Sequence, residues 1–356
     1  MIELEVIKDY VKKNLHAEVL EFRRLGSGVH GEGFLLKIED LSGIKRYVLK
    51  DLVPHDLGHD YPSDRAGVFL LAYDSYNQLP GHIRAVDVLQ LRKDGTLNSI
   101  KDGVEYFLLM EEAEGINYFT DLEKMKERVS LDEGDKDKIR AMAGYLARIH
   151  SVKPEIEPSL KRSLYLRKLR DTIGHGECLM GVFDTYPDGT LSFKEMQETE
   201  ELSIRWRYKL RDKTSRLCQI HGDFHPGNIW FKDGDFRLLD RSRGPWGEAA
   251  DDITALTINY IFFSIRYHGT IKRPYTDALI FFYNEYMKIT GDRELLQVVQ
   301  PFYAFRAAVV GNPIFYPDVS PERRKNIFTF MKNILKIDIF KPEEVNLLID
   351  EMGGVI

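Results

Sequence analysis

The sequence has 356 residues, of which 43% are hydrophobic and 30% are charged, and its formal net charge is -6. This is the composition of an ordinary globular protein with enough apolar material for a large core, and it excludes a disordered chain. The acidic balance gives no chain-wide basic footprint, so we expect no nucleic-acid partner. Because the length exceeds that of a usual single core, we expect two lobes facing a cleft.

Three features concern the cellular compartment. Two cysteines, Cys178 and Cys218, are too few for a disulfide framework or a metal knuckle, which suits a reducing environment. The opening MIELEVIKDY carries acidic residues where a secretory signal has its basic region. The most apolar segment, from Ile253, is too short and too polar to span a bilayer and indicates a buried helix. We predict a cytoplasmic protein without membrane contact.

Residues 1–111 predict mostly strands, separated by turns such as the one at Lys93, Asp94 and Gly95. One helix lies among them, beginning at a Ser63 cap. The predicted strands are GFLLKI (33–38), RYVLK (46–50), AVDVLQL (85–91) and EYFLLM (105–110).

The sequence pattern of residues 112–356 predicts mostly helices. In DKIRAMAGYLARIH, apolar residues recur at helical spacing from Ile139 to Ile149, and His150 follows this stripe as a hydrogen-bonded core histidine. The segment 151–215 looks helical and then loop-like. Further predicted helices are FTDLEKMKERV (119–129), KRSLYLRKLRDTI (161–173), ITALTINYIFFSIRYH (253–268), YTDALIFFYNEYMKI (275–289) and PERRKNIFTFMKNILKI (321–337). The predicted class is α+β, with a small antiparallel-sheet lobe and a larger helical lobe.

The glycine-rich LGSGVHGEGFLLKI suggests a phosphate-binding loop. Gly26, Gly28 and Gly31 have G-x-G-x-x-G spacing, and glycine lets backbone N–H groups approach phosphate oxygens. A strand follows the glycines where a dinucleotide-binding fingerprint needs a helix. A later strand ends in Lys50, which is the order in which kinases place a phosphate-covering loop and a phosphate-binding lysine. The alternative is an ordinary glycine-bearing hairpin with a surface lysine.

A second motif, HGDFHPGN at 221–228, pairs two groups useful for phosphoryl transfer. Asp223 can accept a hydroxyl proton, and Asn228, five residues later, offers an amide oxygen to a divalent cation. The following IWFKDGDFRLLD predicts strand, Asp233-Gly234 turn and strand, which brings Asp240 beside Asn228. Asp235 lies on the turn and is the poorer ligand. The pair of Asn228 and Asp240 predicts a Mg²⁺ site.

The sequence resembles the aminoglycoside phosphotransferase and choline kinase-like enzymes of the protein-kinase-like fold. The resemblance rests on IHGDFHPGNIWF, LLDRSRGPWGEAADDITAL, YFLLMEEAEG and LARIHSV. It implies a bilobal kinase with ATP and Mg²⁺, in which Asp223 is the base or orienter of the acceptor hydroxyl. The remaining implied roles are metal ligation by Asn228 and Asp240, phosphate contacts by Lys50, Gly26, Ser27, Gly28 and Gly31, an adenine-binding hinge at Met110, Glu111 and Ala113, and a structural carboxylate at Asp252 that caps the next helix.

Several roles stay open on sequence grounds. Arg241 and Arg243 either approach the transferred phosphate or lie on the surface, and Asp74 is favoured over Asp64 as the acidic partner of Lys50. His221 is expected to be structural, while the role of His225 is undecided. Three acidic residues either hold a cationic substrate or belong to a solvated loop: Glu177, Asp184 and Asp188.

The leading hypothesis is an ATP- and Mg²⁺-dependent phosphotransferase acting on a hydroxyl of a small molecule, present as a monomer or homodimer. One alternative is a protein Ser/Thr kinase, which the short span from Asp240 to Asp252 disfavours because it leaves no room for a long activation loop. The other is a non-catalytic nucleotide-binding module. The sequence does not identify the acceptor, and an antibiotic, an amino alcohol, a sugar or a nucleoside-like thioether sugar fits the motifs equally.

Overall fold

The computed structural model describes residues 3–27, 31–54, 58–78, 83–105, 108, 110–241 and 243–350. The chain forms two compact units, residues 1–110 and 111–356. The boundary expected from the sequence follows residue 111, and the functional roles assigned to the two parts stay predictions.

The N-terminal unit begins with a helix that the sequence reading did not include. Helix α1 (Leu4–Tyr10) continues into a π-helical turn (Val11–Leu15). Ile7, Tyr10 and Val11 are buried, at the spacing of one helical stripe. They pack in one core with residues of the sheet, among them Leu36 and Ile38. The prediction of a single helix in this unit is therefore wrong, because the short stripe of apolar residues before the first strand forms a second helix.

Three antiparallel strands in the order of the chain form the main sheet of this unit. They are β1 (Glu18–Ser27), β2 (Glu32–Asp40) and β3 (Gly43–Lys50). The turn between β2 and β3 is closed by Asp40, whose Oδ1 accepts the Ser42 backbone N–H at 2.8 Å, and Gly43 has a φ of +112°. The strands predicted at 33–38 and 46–50 are thus confirmed, and this turn joins them.

The rest of the N-terminal unit contains helix α2 (Pro62–Tyr76) and the hairpin of β4 (Leu89–Leu91) with β5 (Leu97–Ser99). Ser63 does not cap α2. The N-cap residue is Tyr61, whose backbone N–H donates to Asp64 Oδ2 at 2.8 Å, because Pro62 already occupies the first helical turn. The β4–β5 hairpin confirms the predicted turn at residues 93–95.

Two strand predictions in this unit need correction. Of the segment 85–91, only Leu89–Leu91 forms a strand. The predicted strand 105–110 falls partly on residues 106, 107 and 109, which lie outside the described residues, and the described Glu105, Leu108 and Met110 have no strand conformation. Apolar composition alone did not distinguish a strand from irregular backbone here.

The C-terminal unit is mainly helical. Its helices are α3 (Tyr118–Met125), α4 (Glu133–Ser151), α5 (Pro158–Gly174), α6 (Leu179–Asp184), α7 (Phe193–Leu210), α8 (Ala249–His268), α9 (Tyr275–Thr290), α10 (Gln300–Gly311) and α11 (Pro321–Ile334). Its strands are β6 (Ile116–Asn117), β7 (Cys218–Gln219), β8 (Ile229–Lys232), β9 (Asp235–Leu238) and β10 (Trp246–Gly247). Short 3-10 turns span Thr214–Arg216, Pro226–Asn228, Arg293–Gln297 and Pro342–Leu348.

Helix α8 is the centre of this unit. Every residue from Ala249 to Ile265 is buried, and α3, α4, α9, α10 and α11 all pack against it. A helix that is apolar on all sides must be covered on all sides, which explains the run of bulky residues from Ile253. The prediction of a buried helix there is confirmed. Among the described residues, no helix is long and apolar enough to cross a membrane.

The predicted class is confirmed: a small antiparallel sheet region precedes a larger helical part. The segment 151–215 is more regular than expected, because its second part contains the two helices α6 and α7. Its N-terminus forms a capping box in which Ser192 and Glu195 satisfy each other's backbone N–H groups. This S-x-x-E pattern was readable in the sequence. The stripe of α4 is buried at Ile139 and Met142 as predicted.

Candidate active site

The HGDFHPGN loop is held by a buried carboxylate from helix α8. Asp252 accepts the backbone N–H groups of His221 and Gly222, each at 2.7 Å. His150 Nε2 lies 3.1 Å from the same carboxylate, and His150 Nδ1 lies 2.9 Å from the Tyr286 hydroxyl. These bonds compensate the burial of a charge that is fully removed from solvent.

These contacts settle two sequence predictions. His150 is a hydrogen-bonded core histidine, as predicted. Asp252 is structural, as predicted, but it does not cap its own helix, whose N-cap residue is Glu248. It anchors the loop instead, because its position in the first turn of α8 directs the carboxylate at backbone N–H groups some thirty residues earlier in the chain.

The first residues of the loop are fixed by close packing. Gly222 has a φ of +91°, and a Cβ there would lie 3.2 Å from the Arg243 Cβ. His221 is 4% exposed, and its Nδ1 accepts the Asp223 backbone N–H at 3.3 Å. The expectation that His221 is structural is therefore confirmed.

The second half of the loop is a 3-10 turn that orients Asn228. His225 Nδ1 accepts the Gly227 backbone N–H at 3.1 Å, which caps the turn. Asn228 Nδ2 donates to the Asp223 backbone oxygen at 3.0 Å. This bond fixes the amide so that its nitrogen faces the loop and its oxygen is the group left to bind a ligand.

A hairpin joins Asn228 to Asp240. Strands β8 and β9 pair from Lys232 with Asp235 to Ile229 with Leu238, and the register continues as Leu239 N–H donates to the Asn228 backbone oxygen at 3.0 Å. The Asp233-Gly234 turn has positive φ at both residues, which confirms the predicted strand-turn-strand. Asp240, also with a positive φ of +54°, follows directly. Asp235 is exposed at the opposite end of the hairpin.

The oxygen donors Asn228 and Asp240 have the chemistry that Mg²⁺ selects, an amide carbonyl and a carboxylate. Among the described residues, no group of three or more His, Cys, Asp or Glu side chains forms a denser cation site. Two protein ligands are what Mg²⁺ usually takes when nucleotide phosphates and water complete its coordination. The residues present fit such an ion, and its binding here stays a prediction.

Asp223 lies among cationic groups. Arg306 Nη1 donates to Asp223 Oδ1 at 2.5 Å, and Arg243 Nη1 lies 3.8 Å from the same oxygen. On the other side, His225 Nε2 lies 3.9 Å from Asp223 Oδ2. Burial alone would raise the pKa of Asp223, but Arg306, then Arg243 and His225, outweigh it and lower that pKa below its usual value. The carboxylate is therefore ionised at neutral pH. Burial lowers the pKa of His225, which Asp223 only partly opposes.

Arg306 is the functional residue that the sequence reading missed. Its side chain is 6% exposed, and besides Asp223 it donates to the Gly222 backbone oxygen at 3.1 Å and to Asp251 Oδ1 at 2.8 Å. Asp251 also forms an ion pair with the buried Lys168. Burial raises the pKa of Asp251, but Lys168 and Arg306 outweigh it and lower that pKa to about 2. Two carboxylates and two cations thus balance each other beneath the loop.

The two arginines after Asp240 differ in their contacts. Arg241 Nε donates to the Ile220 backbone oxygen at 3.0 Å and its Nη2 to the Pro245 backbone oxygen at 3.3 Å, so it holds the chain. Arg243 lies near Asp223, with its guanidinium carbon 5.4 Å from the centre of the Phe305 ring. Ser242, between them, lies outside the described residues.

The acidic candidates of the segment 151–215 are not equivalent. Glu177 Oε2 lies 3.5 Å from Arg243 Nε, so it is the one that belongs to the surroundings of Asp223. Asp184 raises the pKa of Glu200, second to burial, and Asp188 lines a cavity of about 920 Å³ with residues of α11. Binding of a cationic substrate by these residues stays untested.

In the N-terminal unit, the sheet brings the phosphate-binding candidates together. Gly26 pairs with Gly33, and Gly33 pairs with Lys50, so one row crosses all three strands. A Cβ on Gly31 would lie 2.1 Å from the Asp51 backbone oxygen. Position 31 has no room for a side chain, because the loop there lies close to the end of β3.

The remaining N-terminal candidates have fewer described contacts. Gly28 lies outside the described residues, and Ser27 ends β1. In the part of the chain that the structure describes, no ion pair joins Lys50 to Asp74, and Asp64 Oδ2 is engaged by the Tyr61 N–H. Met110, Glu111 and Ala113 lie in irregular backbone before β6, and the hinge role assigned to them stays a prediction.

Comparison with known proteins identifies the family. The profile of the phosphotransferase enzyme family, APH, matches residues 21–266. A comparison with curated proteins found no match.

Similar solved structures include an amicoumacin kinase in complex with AMP-PNP, Ca²⁺ and Ami, which is 15% identical, with 98% of this chain and 97% of that chain covered and a TM-score of 0.43. The gentamicin complex of APH(2″)-IIa is 14% identical, with coverage of 97% and 99% and a TM-score of 0.34. A Plasmodium vivax ethanolamine kinase is 14% identical, with coverage of 96% and 83% and a TM-score of 0.35. Since the family profile spans more than half of the sequence and confirms the resemblance seen in its motifs, the chain belongs to the phosphotransferase enzyme family.

Proposed function

We propose that this protein transfers the terminal phosphoryl group of ATP, with Mg²⁺, to a hydroxyl group of a small molecule. The observation that carries the proposal is Asp223, a partly buried and ionised carboxylate on a loop whose Asn228 is joined by a hairpin to Asp240. The chain belongs to a family of phosphotransferases, and these are the groups that such a reaction requires.

The residues of the chain divide the work as follows. Asp223 accepts the hydrogen bond of the acceptor hydroxyl, fixes its oxygen in line with the phosphoryl group and takes up its proton. Asn228 and Asp240 would hold Mg²⁺, which neutralises charge on the phosphate oxygens. Lys50 and the loop with Gly26, Ser27, Gly28 and Gly31 would bind the ATP phosphates, and the segment of Met110, Glu111 and Ala113 the adenine.

The protein Ser/Thr kinase alternative is disfavoured by the segment after Asp240. Strand β10 starts at Trp246 and helix α8 starts at Ala249, so this part of the chain returns to regular structure within a few residues. The non-catalytic alternative is disfavoured because Lys50, Asp223, Asn228 and Asp240 are all present. A cytoplasmic location and a monomeric or homodimeric state remain expectations from the sequence.

An acceptor screen tests the proposal. Purified protein with Mg²⁺ and ATP is offered hydroxyl compounds grouped as aminoglycosides, amino alcohols, sugars and nucleoside-like thioether sugars, with a peptide mixture as a separate arm. We expect ADP release that depends on one small-molecule group. Phosphorylation confined to the peptide arm would instead establish a protein kinase, and Mg²⁺-dependent ATP binding without turnover on any arm would establish a binding module.

The metal assignment predicts a Mg²⁺-dependent binding defect. Replacing Asp240 with alanine is expected to weaken binding of ATP in the presence of Mg²⁺ by at least about tenfold, because a charged ligand is lost. In EDTA the variant and the unchanged protein should bind ATP alike, which calorimetric titration measures. Asp235→Ala, at the exposed end of the same hairpin, is the matched control. If the Asp240 variant binds ATP as tightly as the unchanged protein in the presence of Mg²⁺, the metal is held elsewhere.

A further inference from the structure

The two oxygens of the Asp223 carboxylate have different surroundings. Oδ1 accepts the 2.5 Å hydrogen bond of Arg306, which comes from a guanidinium almost entirely buried. Among the ion pairs that the described residues form, the only one at Oδ2 is with His225 Nε2, at 3.9 Å. Since Oδ1 is already bonded to a buried partner, Oδ2 is the oxygen available to an acceptor.

The His225 ring is fixed in its tautomer and its orientation. Because Nδ1 accepts the Gly227 N–H, Nδ1 carries no proton in the neutral ring and Nε2 carries it. The ring lies 5.8 Å, centre to centre, from Phe119. A Cβ at Gly227 would lie 2.7 Å from His225 Cε1 and 2.8 Å from Phe119 Cε2. The glycine therefore leaves the space that the imidazole occupies, and Nε2–H is held toward Asp223.

The separation of 3.9 Å between His225 Nε2 and Asp223 Oδ2 is too long for a hydrogen bond. It is, however, a distance that one oxygen atom can bridge, lying about 2.8 Å from both atoms. Such an oxygen needs one hydrogen to give and one lone pair to offer, which is what a hydroxyl group has.

We propose that the acceptor hydroxyl binds between Asp223 Oδ2 and His225 Nε2, donating to the first and accepting from the second. This inference rests on the proposed function and makes His225 a catalytic residue. In the transfer, the acceptor oxygen forms the bond to phosphorus, the bond between phosphorus and ADP breaks, and the hydroxyl proton passes to Asp223 Oδ2 while His225 keeps its own.

The pair also explains why a hydroxyl would be chosen over an amine. A protonated amine has no lone pair and cannot accept the His225 N–H, whereas a hydroxyl satisfies both partners. Since phosphoryl transfer depends mainly on holding the reactants in line, a second contact on the acceptor oxygen contributes through position and not through proton transfer.

Two variants of His225 separate this role from its role in the turn. In His225→Asn, the amide oxygen is placed as Nδ1 is and can still accept the Gly227 N–H, but nothing reaches the acceptor. In His225→Gln, the amide nitrogen reaches the position of Nε2, but the cap is lost. We expect the Asn variant to lower turnover about tenfold with unchanged thermal stability and unchanged Mg²⁺-dependent ATP affinity, and the Gln variant to retain more turnover despite lower stability.

Turnover is measured with the full chain in two ways: on the best acceptor of the screen, and as Mg²⁺-dependent ATP hydrolysis, in which water is the acceptor. Wild-type turnover of the Asn variant would overturn the inference and leave the proposed function standing. An equal loss in both variants that follows their loss of stability would also overturn it, since His225 would then be structural. If the unchanged protein neither phosphorylates an acceptor nor hydrolyses ATP, the proposed function fails and this inference fails with it.

Discussion

The Asp223→Asn variant is expected to lose phosphoryl transfer while still binding ATP and Mg²⁺. The amide has nearly the shape of the carboxylate, so its oxygen can still accept the Arg306 bond, but its NH₂ group cannot accept a hydroxyl proton. We expect turnover to fall about a hundredfold or more, the usual contribution of a positioned base. Steady-state transfer assays give the turnover, and calorimetric titration gives the nucleotide affinity.

The control for this variant is Asp235→Asn, which makes the same chemical change at the exposed first residue of strand β9. It should behave as the unchanged protein. Full turnover of Asp223→Asn would show that another group receives the acceptor hydroxyl, whereas loss of ATP affinity together with turnover would show that Asp223 belongs to the nucleotide site.

Removing the Arg306 guanidinium is expected to damage both stability and activity. In Arg306→Met the partly buried Asp223 and the buried Asp251 lose a shared cation, and Asp251 keeps only the ion pair with Lys168. Breaking a buried ion pair from one side costs about 3–5 kcal/mol, which denaturant unfolding measures. We expect the turnover of the folded fraction to fall about a hundredfold, because Asp223 Oδ1 is no longer fixed and a small misplacement is costly.

Two further variants distinguish positioning from general destabilisation. The Arg216 side chain is likewise almost entirely buried and is bonded to three carboxylates, those of Glu248, Asp292 and Glu294. Among the described residues it makes no hydrogen bond or ion pair with the HGDFHPGN loop. Arg216→Met should lose comparable stability and keep its turnover per folded molecule. Arg306→Lys keeps the charge but not the forked pair of N–H donors. Its turnover per folded molecule should lie between that of Arg306→Met and that of the unchanged protein. Equal turnover of the folded Arg306 and Arg216 variants would show that Arg306 is structural only.

The sequence predicted the features of the site that depend on residues close together in the chain. The five-residue spacing of Asp223 and Asn228 and the Asp-Gly turn of the β8–β9 hairpin depend on neighbours in the chain, and glycine and proline mark such turns clearly. The burial of α8 followed equally from its run of apolar residues. Local composition was also enough to predict the α+β class.

The contacts that hold the loop were not predictable in the same way. Arg306 stands alone in the apolar FYAFRAAVV, which indicates a buried cation but not its partner, and that partner lies 83 positions away. Asp252 lies at the start of a helix, where N-capping is the simplest local role. Its hydrogen-bond partners are instead 30, 31 and 102 positions away in the chain. Periodicity and spacing indicate burial and turns, but which distant side chains meet depends on tertiary packing.

The bond between Arg306 and Asp223 has a consequence for how the protein is made. The family profile ends at residue 266, yet the guanidinium that fixes the Asp223 carboxylate belongs to α10, which begins at Gln300. During synthesis, the HGDFHPGN loop and both metal-ligand candidates leave the ribosome well before Arg306 does. Until α10 has packed against α8, Asp251 has one cation where it later has two, and Asp223 Oδ1 has no fixed donor. With the proposed role of Asp223, we expect competence for transfer to arise late, with the folding of a segment that carries none of the motif residues.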